Sequence, residues 1–357
     1  MQQGRRRRKD RKRIPWLRLT ALALVVLVLG GTATWLWWTE RHPERERDLR
    51  LQVQEHLHEW FPEQMELPDD VFGFNPRSLR FDDTRSPDVL LLHGLDEPGG
   101  IWDELVAALD EAGINAWEFR YPNDQAIDHS TDLLAEHWPQ LDEELELILI
   151  GHSMGGLVIR DFVTRWRHPV DETTGIDGAA IVGTVLVAPP NQGSEWARLR
   201  AWLEIREWIG DIRERRFSLF AALRDGTGAA KIDLRPDSAF LAELNDRPWP
   251  DSVKMKIIGG VLAEPTPQME ASVSSLIEQF GAEGAAEELL ERWESLGTGL
   301  GDGVVPVESL TLPGQADPLV LEASHRGLLV NMPFSDGEPP AIAPVLETVR
   351  DWQDNGD

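Results

Sequence analysis

The chain of 357 residues has no cysteine. That excludes disulfides, thiolate metal sites and a cysteine nucleophile, and it leaves the compartment open. Tyrosine is nearly as scarce, one residue against fifteen tryptophans, a skew that composition alone does not explain. Positive charge is scarce beyond the first eighteen residues. Residues 1–18 hold nine Lys and Arg and one acid, Asp10, which leaves 26 basic and 61 acidic residues in 19–357, a net charge of −35. So acidic a body is repelled by nucleic acid and by anionic lipid, and solubility is the simplest reason for it. There is no Gly-x-Gly-x-x-Gly after the first apolar strand, and the glycines around residue 153 lack the lysine of a phosphate-binding loop. Nucleotide binding is therefore not expected. His56 and His58 lie two apart, a spacing that puts them on different faces of a helix, and no other metal set emerges. No cofactor and no metal are expected.

What is present begins with an apolar run. "LTALALVVLVLGGTATWLWW", residues 19–38, is twenty residues without a charge. As a helix it spans ~30 Å, the hydrocarbon thickness of a bilayer. Arg18 and Glu40 bound it, and Trp35, Trp37 and Trp38 sit where interfacial aromatics belong. The sequence predicts a basic tail at 1–18 and a single transmembrane anchor at 19–38. The basic tail places the N-terminus in the cytoplasm and the body on the periplasmic or extracytoplasmic side of the cytoplasmic membrane. Gly31-Thr32-Ala33 would suit a signal peptidase, but the run is long for a cleaved signal and its Trp-rich end favours a retained anchor. Residues 39–86 read as a linker or stalk.

From Val89 the pattern alternates. Short apolar runs at 89–94, 114–121, 145–150, 179–190, 253–261 and 319–323 read as strands, and amphipathic segments at 101–113, 130–141 and 154–166 as helices, with Ser130 as a possible cap. Strands that are apolar throughout and separated by helices predict an α/β fold, a mainly parallel sheet with helices on both faces.

One turn in this pattern carries chemistry. "Gly151-His152-Ser153-Met154-Gly155" fits G-x-S-x-G between a buried strand and a helix. A serine on so tight a turn is held with its hydroxyl above the sheet, and Gly151 and Gly155 let neighbouring backbone pass. The helix that starts there aims its first amides at a reacting carbonyl, so the Met154 N–H is one candidate oxyanion donor. Serine needs a base held by an acid. "GDGVVPVES" offers Asp302, and "EASHRGLL" offers His325 after a strand, in the chain order Ser…Asp…His. Asp317 and Glu308 remain alternatives for the acid. "LLHGLDEPGG" follows the first parallel strand, and its Leu95 N–H is the second candidate donor.

With these pieces the chain resembles the α/β-hydrolase superfamily, and within it the bacterial lipases and esterases. The matching stretches are "LLHGL" (91–95), "GHSMGG" (151–156), "APPNQGS" (188–194), "GDGVVP" (301–306) and "SHRGLL" (324–329), within roughly 87–335. The resemblance implies Ser153 as nucleophile, His325 as base, Asp302 as acid, and Leu95 with Met154 as oxyanion donors. It also implies that "APPNQGS" lines the pocket, with Asn191 standing where many relatives carry His.

Residues 87–357 are thus expected to form the hydrolase domain, with two helical insertions. One, within 195–250, is amphipathic and puts Trp196 and Trp202 on its apolar face. It reads either as a lid that offers a surface to acyl chains or as a helix packed permanently on the core. The other, 263–296, precedes the acid loop. The expected activity is hydrolysis of carboxylic esters, lipid-like or with an apolar acyl group, through an acyl-enzyme. An acyltransferase, thioesterase or amidase would use the same residues, and a silent binding scaffold in the envelope is the non-enzymatic alternative. Oligomeric state is not legible.

Overall fold

The structure is a computed structural model that describes residues 37–68, 71–81, 85–95, 97, 100–170, 175–195, 224, 226–262, 301–332 and 337–354, with Val26, Leu27, 30–32, Thr34 and Trp35. The chain divides into two units, Met1–Glu46 and Arg47–Asp357. In the first, Trp37–Arg41 is helical. Most of the apolar run at 19–38 lies outside the described residues, and among the described residues no helix is long and apolar enough to cross a membrane.

The second unit is built on a seven-stranded sheet. Its strands are β1 (Gly73–Pro76), β2 (Val89–Leu92), β3 (Ala116–Arg120), β4 (Glu146–His152), β5 (Ala180–Val187), β6 (Lys254–Val261) and β7 (Leu319–Glu322), in the spatial order β1-β3-β2-β4-β5-β6-β7. All neighbours pair in parallel except β1, which lies antiparallel on β3. The expected α/β class and the mainly parallel sheet are therefore present. The sheet starts earlier than residue 87, however, because β1 comes from the segment read as a linker. A four-residue edge strand carrying Gly73 and Pro76 has neither the length nor the alternation that marks a strand in sequence. That segment also holds a helix, α1 (Pro43–Trp60).

The continuous apolar runs have a structural reason. Val89 and Leu91 face one core with Ile148, Ile150, Val185 and Val187, while Leu90 and Leu92 face the other with Leu147 and Leu149. Strands covered on both faces need apolar residues at every position. On the first face lie α2 (Asp103–Ala112) and α6 (Ile342–Asp354), whose Ile342, Val345, Val349 and Trp352 form a helical stripe. On the other lie α3 (Ile127–His137) and α4 (Met154–Phe162), and every residue of α4 is buried.

One helix start differs from expectation. Helix α3 begins before Ser130, which is buried inside it, and the Ile127 N–H is met by Asp233 Oδ2 at 2.9 Å. A cap supplied from a distant segment leaves no local sequence signal. Helix α5 (Ala239–Asp246) is conventional, with the Ser238 side chain accepting from the Leu241 N–H. Of the first insertion only Glu195, Arg224 and 226–250 are described, and the second lies outside the described residues.

Candidate active site

The strand order reverses direction between β2 and β4. In open parallel sheets the crevice above the carboxyl ends at such a point is where ligands bind. Both segments picked out in the sequence emerge there, His93–Leu95 after β2 and Ser153 after β4. A surface hollow of about 410 Å³, lined by Glu146, Arg167, His168, Ser252 and Lys254 among others, lies instead at the amino ends of β4 to β6.

Ser153 joins β4 to α4 with φ 54° and ψ −124°. A non-glycine residue at positive φ is strained by about 1–3 kcal/mol, and surrounding structure must hold it there. The holding contacts are visible. The Ser153 N–H donates to Val187 O at 2.9 Å, and the Gly156 N–H donates to Ser153 O at 3.0 Å. The flanking glycines are required by space. A Cβ on Gly151 would lie 2.6 Å from Gly156 N, and one on Gly155 would lie 2.1 Å from Leu92 O. Any side chain at either position would drive β4, α4 and the end of β2 apart. Met154 is the first residue of α4, so its N–H has no partner within the helix.

Asp302 and His325 meet beside this turn. His325 Nδ1–H donates to Asp302 Oδ2 at 2.7 Å, and the His325 N–H donates to Asp302 O at 2.9 Å. The Asp302 side chain is fully buried, and its Oδ1 accepts from the N–H groups of Val304 (2.9 Å) and Val305 (2.8 Å). Three donors on one buried carboxylate fix its orientation and, through it, the tautomer that leaves Nε2 of His325 unprotonated. Asp317 and Glu308, the other carboxylates weighed from sequence, are exposed.

His152 ties the serine turn to the His325 loop. Its ring centroid is 4.7 Å from that of His325, and its Nε2–H donates to His325 O at 3.2 Å. Burial first, and then the neighbouring His325, hold the His152 ring well below the usual histidine range, so it stays neutral near pH 7. A second tie joins the His325 loop to the loop after β2, where Arg326 Nη1 donates to both Glu97 oxygens at 2.6 Å.

The "APPNQGS" stretch is tied to the loop that carries Asp302. Asn191 is fully buried. Its Oδ1 accepts from Arg160 Nη1 at 3.1 Å, and its Nδ2 donates to Leu310 O at 2.8 Å. The Ser194 hydroxyl donates to Val304 O, and the Ser309 hydroxyl to Gly193 O at 2.7 Å. The stretch therefore buttresses the loop that carries Asp302. An amide can serve two partners of opposite kind. Trp196 and Trp202 lie outside the described residues. Among the described residues no group of three or more His, Asp or Glu could hold a metal ion.

Sequence reading passed over Tyr121, Glu97 and Arg326 as parts of the site. Tyr121, the only tyrosine, is buried beneath the loop after β2. Its rarity and its place at the end of β3 were the available signal.

Comparison with curated protein sequences gives no match. Among solved structures, the lipase BlEst2 of Bacillus licheniformis in mature form is similar with a TM-score of 0.46 and 15% identity, covering 76% of this chain and 96% of that one. The phospholipase PlaB of Legionella pneumophila gives a TM-score of 0.49 and 16% identity over 75% of this chain and 61% of that one. The metagenomic carboxyl esterase MGS0156 gives 0.49 and 15% over 82% and 86%. The sequence itself matches the alpha/beta hydrolase family over residues 89–299, from the first residue of β2 through the serine turn and across β6, more than half its length. By that match and by the sheet that carries Ser153 at its switch point, the chain belongs to the alpha/beta hydrolase family.

Proposed function

We propose that the protein is a serine hydrolase that cleaves carboxylic esters with apolar acyl groups, through an acyl-enzyme on Ser153. The observation that carries this reading is the pairing of His325 with the buried Asp302, packed against His152 next to a serine at φ 54°.

In this reading Ser153 Oγ attacks the ester carbonyl while His325 Nε2 takes its proton. Asp302 stabilises the imidazolium that forms. The tetrahedral oxyanion accepts from the N–H groups of Met154 and Leu95. His325 then gives the proton to the leaving alcohol. Water, deprotonated by the same histidine, attacks the acyl-enzyme and releases the acid. Helix α4 points its positive end at the oxyanion, which adds to the stabilisation.

The address belongs to the same proposal. Residues 19–38 anchor the chain in the cytoplasmic membrane, with the basic tail inside and the hydrolase unit outside. That places the site near lipid-like substrates, and the tryptophans of the first insertion would meet their acyl chains.

The test is labelling of the full chain, in detergent micelles, with a fluorophosphonate probe followed by peptide mass spectrometry. The expected adduct is on Ser153, and none forms in Ser153→Ala. Labelling of another residue, or none with folded protein, would overturn the assignment.

A further inference from the structure

We propose that Tyr121 is a positioning residue that sets the direction of the Leu95 N–H by holding His93. The inference rests on the hydrolase reading above, in which that N–H is an oxyanion donor.

One chain of contacts links Tyr121 to the Leu95 N–H. A trans peptide unit is planar, so its C=O and N–H point in opposite directions. The Leu95 N–H shares its peptide unit with Gly94 O. His93 Nδ1–H donates to Gly94 O at 3.1 Å, so the ring of His93 fixes one end of that unit and thereby aims the other. The His93 ring is in turn held by Tyr121. The two rings stack at 4.2 Å with 11° between their planes, and the Tyr121 N–H approaches His93 Nε2 at 3.5 Å. A donor at Nε2 selects the tautomer with the proton on Nδ1, which is the form that can hold Gly94 O.

The Tyr121 hydroxyl fixes the preceding peptide as well, since it donates to His93 O. That oxygen is hemmed in on its other side, because a Cβ on Gly155 would lie 2.6 Å from it. The loop has little slack toward the serine either, because a Cβ on Gly94 would lie 2.9 Å from the Cβ of Ser153. A shift of a few tenths of an ångström at His93 is thus passed directly to the oxyanion position. A buried hydroxyl needs a hydrogen-bond partner, and His93 O is the acceptor that Tyr121 finds. Burial pushes the Tyr121 phenol well above its usual range and lowers the His93 ring, so both stay neutral and the arrangement does not switch near pH 7.

The experiment compares the full chain with Tyr121→Phe, His93→Leu and the double variant. Two readouts are used, turnover of a p-nitrophenyl ester and inhibition by a trifluoromethyl ketone with the same acyl group. The ketone forms a tetrahedral adduct and so reads the oxyanion position, whereas a merely structural role would not move its affinity in step with turnover. Tyr121→Phe is expected to lower kcat by roughly 10–100-fold with KM within about twofold, and to weaken the ketone by the same factor. His93→Leu is expected to do at least as much, and the double variant no more than His93→Leu, because the two act in series.

Wild-type kcat and ketone affinity in folded Tyr121→Phe would overturn the inference while leaving the hydrolase reading intact. So would losses that multiply in the double variant. Should Tyr121→Phe not fold, His93→Leu alone decides, and unchanged ketone affinity in it has the same meaning. A wild-type chain that neither turns over esters nor takes the fluorophosphonate on Ser153 would remove the hydrolase reading and this inference with it.

Discussion

Ser153 occupies a backbone conformation that glycine would adopt without strain. Function and stability therefore pull against each other at this residue. Ser153→Gly is expected to abolish ester turnover and to stabilise the fold by about 1 kcal/mol, read as a rise in the thermal midpoint. A fall in that midpoint would mean that the serine side chain, and not its chemistry, holds the turn. Asp302 permits a similar separation. Asp302→Asn keeps an acceptor for the N–H groups of Val304 and Val305 but no longer supports the imidazolium, so kcat should fall by roughly 10³–10⁴-fold with the midpoint nearly unchanged. Asp302→Ala leaves those two amides without their acceptor and should also cost about 1–3 kcal/mol of stability for each. Both residues could be proposed from the sequence because their surroundings are local, a strand-turn-helix for one and a Gly-rich loop for the other. The role of Asn191 could not, since its partners Arg160 and Leu310 come from distant positions in the chain.

At the scale of elements, the parallel strands could be read because burial on both faces leaves unbroken apolar runs. Strand β1 and the start of α3 could not be read, because each is decided by a partner far along the chain. The start of α3 also makes a prediction. Asp233 is fully buried, accepts from Ile127 N–H and from Arg47, and Arg47 also reaches Asp128. Burial pushes the Asp233 carboxyl up to about 6, against the opposing pull of Arg47 and the Ile127 N–H. In the unfolded chain an aspartate titrates near 3.9. The folded state thus keeps a proton that the unfolded state gives up between these values. This group's contribution is fully present below about 3.9 and is lost as pH rises through about 6. Asp233→Asn removes the titration. The stability of wild type relative to Asp233→Asn, followed by denaturant melts from pH 4 to pH 7, should fall across that window. A relative stability that stays flat or rises would show that the pairing with Arg47 outweighs burial.

For the whole molecule, charge and hydropathy divide the work. The basic tail and apolar run at 1–38 are followed by a body of strongly negative charge, which a surface of anionic lipid would repel. Under the proposed address the apolar run, and not the charge of the body, holds the chain to the membrane. The full chain is expected to sediment with membranes through high-salt and carbonate washes and to be released by detergent. Replacing four apolar residues of 21–28 with Lys should move it to the soluble fraction. Release by salt alone would contradict an anchored protein. The hydrolase unit was apparent in the sequence, since its parallel strands and serine turn each depend on a pattern within a short stretch. The arrangement around Tyr121 was not, since it needs β3 laid beside β2 before the single tyrosine meets His93.

In the proposed function Ser153, His325 and Asp302 together hydrolyse esters with apolar acyl groups. The most direct measurement is the rate at which the full chain in micelles hydrolyses p-nitrophenyl esters from acetate to palmitate, beside Ser153→Ala. The account predicts turnover that rises with acyl length beyond acetate and vanishes in the variant. Equal turnover in wild type and Ser153→Ala, or none on any ester from a folded protein, would contradict it.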